Sequence, residues 1–107
     1  MATQKIGTTT YDGASGTSYE FSVYKKGFRF NDFIPGVFYL VRQDDDAETG
    51  VFIGESDNVD PAMVHNENAA CFEENNYNTI CFHRVANPSK RKAAFEDLSR
   101  ALTTTCN

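Results

Sequence analysis

The sequence predicts a small α/β domain of the α+β kind, a mostly antiparallel sheet of three to four strands flanked by helices. Three observations carry this. Two runs of β-forming residues, 37–41 and 51–53, stand on either side of the acidic stretch 44–50, which reads as a polar hairpin loop. Apolar and polar residues alternate along 19–25, the period of a half-buried strand. Ala94, Phe95, Leu98, Ala101 and Leu102 recur at helical spacing behind Asn87-Pro88-Ser89, a helix-opening sequence.

In chain order, residues 1–17 are rich in Thr, Gly and Ser and read as a flexible leader with room for one short edge strand. Residues 18–107 form the domain. After the strand at 19–25, Phe28-Arg29-Phe30 repeats the alternation briefly, and Pro35-Gly36 punctuates the chain. The unbroken apolar run 37–41 suggests a central strand covered on both faces. Asp60-Pro61 looks like an N-cap followed by a first-turn proline, opening a short helix through His65. Ala69-Ala70-Cys71-Phe72 suggests a second helical turn, and 79–85 a further strand. The last helix is expected to run to about Leu102, where Thr103-Thr104-Thr105 disfavours continuation.

Composition narrows the function classes. A chain of 107 residues is one domain, and nine Phe and five Tyr supply much of its core. No apolar run approaches the roughly 20 residues of a membrane span. The opening Met1-Ala2-Thr3-Gln4-Lys5 lacks the apolar core of a secretory signal, so a cytoplasmic protein is expected. Cys71, Cys81 and Cys106 are odd in number and show no C-x-x-C spacing, which favours buried reduced thiols over a disulfide framework or a zinc site. The net charge of −5 opposes nucleic acid as the default partner. Any nucleic-acid face would draw on Lys25, Lys26, Arg29, Lys90, Arg91 and Lys92, residues that equally serve as a solvated surface. No phosphate-binding Gly-Lys-Ser/Thr loop and no Gly-x-Ser-x-Gly elbow occurs.

Gly36-Val37-Phe38, then Phe52-Ile53-Gly54-Glu55-Ser56, then Asn58-Val59, a late helix and Cys106-Asn107 follow one another at a characteristic spacing. Over residues 19–107 this pattern resembles the GIY-YIG nuclease domain. The resemblance implies a small antiparallel sheet flanked by helices, with the site built across the two signature strands, the first helix and the last helix. It places the family's two tyrosines at Phe38 and Phe52, its arginine at Ala62, its metal-binding glutamate at Phe95 and its closing asparagine at Asn107. His65 and Glu96 lie one residue from the positions that the family's histidine and glutamate would occupy, and helix phase puts Phe95 and Leu98 on one apolar stripe with Glu96 pointing roughly the opposite way.

Phenylalanine neither donates, accepts nor loses a proton. Four of the five slots thus lack their chemistry, and the sequence points to a catalytically inactive GIY-YIG-like domain serving as a binding module for an unidentified protein or ligand, with no cofactor. The alternative is a metal-dependent endonuclease that hydrolyses DNA phosphodiester bonds. It would require Mg²⁺ or Mn²⁺ and would recruit Tyr39, His65, Glu96 and Asn107. Binding of nucleic acid without cleavage is the third option.

Overall fold

The computed structural model describes residues 5–107. Two hairpins and one inserted strand build the sheet. The first hairpin joins β1 (Gly7–Asp12) to β2 (Ser18–Lys25), and the second joins β3 (Gly36–Gln43) to β4 (Glu48–Ser56). The later strand β5 (Thr79–Arg84) slots between them and gives the order β1-β2-β5-β3-β4, antiparallel throughout.

The edge strand allowed for within residues 1–17 is β1, which pairs with β2 from Gly7 to Asp12 and brings the sheet to five strands. The polar Thr-rich stretch hides it, because an edge strand with one wet face needs few apolar residues. The first four positions of the expected leader lie outside the described residues. The tip of this hairpin is tied to the last helix. The carboxylate of Asp97 accepts hydrogen bonds from the Ser15 amide (2.8 Å), the Ser15 hydroxyl (2.7 Å) and the Tyr19 hydroxyl (2.9 Å).

β3 is buried from Gly36 to Val41, as a continuous apolar run requires of a central strand. The hairpin loop after it is tighter than the acidic stretch suggests. Only residues 44–47 turn, closed by the Asp44 amide on the Ala47 carbonyl (2.8 Å), while Glu48, Thr49 and Gly50 already belong to β4.

Helices cover both faces. Phe38, Leu40, Phe52, Ile80 and Phe82 point to one side, where α1 (Val59–Val64), α2 (Ala69–Glu74) and the connection 26–35 close over them with Val59, Met63, Phe72, Phe28 and Phe30. Phe21, Val37, Tyr39, Val41, Ile53 and Cys81 point to the other, packed by Ala94 and Leu98 of α3 (Pro88–Ala101). Phe28-Arg29-Phe30 adds no strand. Gly27 turns the chain at φ +98°, and both rings fold back onto Tyr24.

The cap of α3 is the one the sequence announces, with the Asn87 side chain accepting from the Lys90 amide and Pro88 at the first position. The cap of α1 is not. The helix starts at Val59, the Asn58 side chain accepts from the Phe33 amide (2.9 Å), and Asp60 faces Arg29 instead of a helix N–H. A buried carboxylate gains more from a two-pronged guanidinium than from a lone amide.

The cysteine expectation needs a larger correction. Cys71 of α2 and Cys106 form a disulfide, and only Cys81 is a free, buried thiol among the described residues. An odd total leaves one cysteine over but does not stop the other two from pairing. The 35 residues between them conceal that residues 103–107 return alongside β4 next to α2.

Candidate functional site

The residues matching the family pattern do not converge on one depression. Phe38 and Phe52 are neighbours, their rings stacked with centroids 5.8 Å apart at 30°. Both are core, 1% and 9% exposed. Phe52 also meets Phe72 at 4.9 Å, and Ala62 packs against the same cluster. Phe95 belongs to the opposite face of the sheet, at the margin of the α3 core. The side chain of Asn107 is engaged on β4, accepting from the Ile53 amide and donating to the Ile53 carbonyl, both at 2.9 Å, while its oxygen also accepts from the Thr104 hydroxyl at 2.7 Å.

The signature glycines have packing reasons. A β-carbon on Gly54 would lie 2.7 Å from the Phe38 ring tip and 2.9 Å from the Phe52 ring. Phe38 and Gly54 are cross-strand partners, so the ring lies over the bare backbone.

Tyr39 is the only tyrosine of the first signature strand, and its side chain lies on the α3 side of the sheet, away from Phe38 and Phe52. Burial, with Glu48 as a lesser cause, pushes its phenol up to about 12. Tyr11 shifts the same way by burial while donating to Glu48 at 2.8 Å, and burial pushes the Cys81 thiol up to about 11. Each of these groups is held in its neutral form, the opposite of what a nucleophile or base needs.

His65 caps the end of α1 through its backbone amide on the Pro61 carbonyl (2.8 Å), and its side chain is exposed. His83 packs cross-strand between Tyr19 and Phe21, with Nδ1 donating to the Glu20 carbonyl at 2.9 Å.

One depression of about 220 Å³ does draw candidates together, lined by Glu55, Lys92, Phe95 and Glu96. Glu96 thus shares the Phe95 side of α3 instead of pointing the opposite way, since Lys92, Phe95 and Glu96 are spaced as helix neighbours. Glu55 is already engaged, accepting from the Arg91 Nε at 2.7 Å. Arg91 is itself buried and also donates to the carbonyls of Val85 and Ala86. With Ala94 and Leu98 it forms an i, i+3, i+7 stripe, the buried face of α3. The described residues hold no group of three or more His, Cys, Asp or Glu side chains arranged for a metal ion. Two carboxylates, one of them neutralised by a guanidinium, do not fit Mg²⁺ or Mn²⁺, which need several oxygen ligands.

Three of the six basic candidates are engaged within the fold. Arg91 pairs with Glu55, Lys26 with Glu73 at 2.6 Å, and Lys26 also lies over the Tyr77 ring. Arg29 grips Asp60 through Nε and Nη2, at 2.6 to 3.0 Å. That grip, with the Phe30 amide adding to it, holds the Asp60 carboxyl below the usual carboxylate range. Lys25, Lys90 and Lys92 make no ion pair among the described residues.

Phe33 is the feature that sequence reasoning missed. It is 76% exposed, and its backbone sits at φ +60°, a left-handed conformation that a bulky residue adopts only when its surroundings force it. The Asn58 side chain, accepting from the Phe33 amide, fixes that turn. Nothing in the sequence separates this Phe from the eight that pack inside or at the core's margin.

No protein-family model, curated protein or solved structure matches the chain. No helix of the described residues is long and apolar enough to cross a membrane.

Proposed function

We propose that this chain is a cytoplasmic, GIY-YIG-like domain without hydrolytic activity that works as an interaction module for a protein or ligand partner. One observation carries the reading: the two tyrosine slots of the signature hold Phe38 and Phe52, stacked on each other inside the core. The element order from β3 to α3 supports the resemblance, since two strands, two short helices, a strand and a long helix follow each other. Four of the five slots that match the family site lack the group the chemistry needs. No guanidinium stands at Ala62, Phe95 offers no ligand, and Asn107 is bound to β4. Nucleic-acid binding is the weaker reading, with half of its six candidate bases tied to carboxylates.

Phe33 is the natural anchor of a recognition surface, a large ring presented at a rigid turn. The test compares the protein with Phe33→Asp by light scattering and co-purification. A self-association or partner interaction that weakens at least about tenfold in Phe33→Asp, with an unchanged fold, is the expected result. A wild-type protein that stays monomeric and retains neither partner nor ligand overturns the reading.

A further inference from the structure

The outer edge of β4 is covered by the last of the described residues. Residues 103–107 run beside it. The Thr105 amide donates to the Gly50 carbonyl (3.2 Å), the Cys106 amide to the Val51 carbonyl (2.8 Å), and Asn107 clamps both backbone groups of Ile53. β4 is prepared for this strap. Between Leu40 and Val41 the register slips, so that Val51 has no partner on β3 and forms a bulge. Gly50 lets the strap approach, since a β-carbon there would lie 2.3 Å from the Thr103 carbonyl oxygen. The covalent hold on the strap is the Cys71–Cys106 bond.

We propose that this disulfide is a reversible redox latch: oxidised, it keeps residues 103–107 on β4, and reduced, it lets them leave and opens the strand edge. A second feature marks the bond as more than a staple. The side-chain amide of Asn75 donates toward both sulfurs, at 3.4 Å to Cys71 and 3.5 Å to Cys106, while also holding the Cys71 carbonyl at 2.8 Å. An N–H aimed at a sulfur stabilises the thiolate that leaves when the bond is cut, and a better leaving thiolate speeds exchange.

The chemistry balances with a dithiol reductant. Its thiolate attacks Cys71, the less buried of the pair. The Cys71–Cys106 bond breaks, and Cys106 leaves as a thiolate that takes up a proton. The second thiol of the reductant then attacks the mixed disulfide, freeing Cys71 as a thiol and closing the reductant's own disulfide. Two electrons and two protons reach the protein. In a cytoplasmic setting a disulfide is expected to be of this transient kind. Loss of the strap strips the Ile53 amide of its acceptor and leaves the Gly50, Val51 and Ile53 carbonyls without donors on that edge, the state in which a strand accepts another chain.

The test is amide hydrogen exchange on the full chain, with and without a dithiol, alongside thiol counting and the Cys71→Ser/Cys106→Ser variant. Oxidised protein should show one free thiol, Cys81. On reduction the Ile53 amide should exchange at least about tenfold faster while the β3 and β5 amides stay protected, because an edge opens locally without global unfolding. The double variant should show the fast Ile53 exchange without reductant and no response to it. Asn75→Asp, which puts a negative charge beside the sulfurs, should slow reduction by about tenfold through the leaving thiolate. Three free thiols that persist after treatment with an oxidised dithiol would overturn the latch. So would an Ile53 amide indifferent to reduction, or loss of β3 and β5 protection together with it, which would make the bond a plain staple. An Asn75→Asp reduction rate equal to wild type would also overturn the latch, since the Asn75 amide is what distinguishes this bond from a staple.

Discussion

Phe38→Ala is expected to destabilise the fold by about 3–5 kcal/mol, the range for a buried aromatic truncated to alanine. The ring is fully enclosed, stacked on Phe52, and covers the bare backbone of Gly54. Its loss opens a void between the sheet and the helices α1 and α2 that close over this face. Denaturant unfolding should show a lower midpoint at an unchanged slope. Phe38→Tyr is the informative companion. A hydroxyl added at this enclosed position finds no water, so the variant should also be less stable, by about 1–3 kcal/mol. A tyrosine accepted without cost would mean that the slot keeps a polar, open side, as a phosphate-handling cleft does.

Gly36→Ala should be comparably severe. Its β-carbon would lie 2.4 Å from the His83 carbonyl oxygen and 2.5 Å from the Phe82 ring. The oxygen is backbone, so the clash cannot be relieved by a rotamer change, and β3 must shift against β5. A cost of about 3 kcal/mol or more is expected, at the upper end of overpacking effects. Gly7→Ala is the matched control, a strand glycine with nothing near the added carbon, and it should be close to neutral. Thermal unfolding of the pair separates the two explanations of the Gly36 position. Equal melting temperatures would mean that packing is not why a glycine stands there.

Much of the fold was legible because its signals are local. The alternation of β2, the apolar run of β3 and the Asn87-Pro88 opening of α3 each declare one element within a few residues. β1 was only half visible, since a threonine-rich edge strand owes its place to pairing with β2 and not to its own apolar pattern. The cap of α1 was misplaced because Arg29, some 30 residues earlier, claims the Asp60 carboxylate. The disulfide was misread for a similar reason: it depends on residues 103–107 turning back along β4.

The candidate site divides along the same line. That Phe38 and Phe52 would pack as core rings follows from residue type and strand position. That Phe95 would fall on the other face of the sheet does not, since only the packing of α3 decides it. Helix phase suggested that Glu96 turns away from Phe95. In the fold Lys92, Phe95 and Glu96 form one margin of α3 facing Glu55, half outside the core. Arg91 fills the buried position in that stripe, where its guanidinium is satisfied by Glu55 and two carbonyls.

In the proposed reading, Phe38 and Phe52 fill the slots in which a GIY-YIG nuclease carries its two tyrosines. Incubation of the purified protein with supercoiled plasmid and magnesium or manganese, with Glu96→Ala beside the wild type, is the decisive experiment. The plasmid is expected to stay intact with both proteins at every metal concentration. Metal-dependent nicking by the wild type that disappears in Glu96→Ala would overturn the proposal.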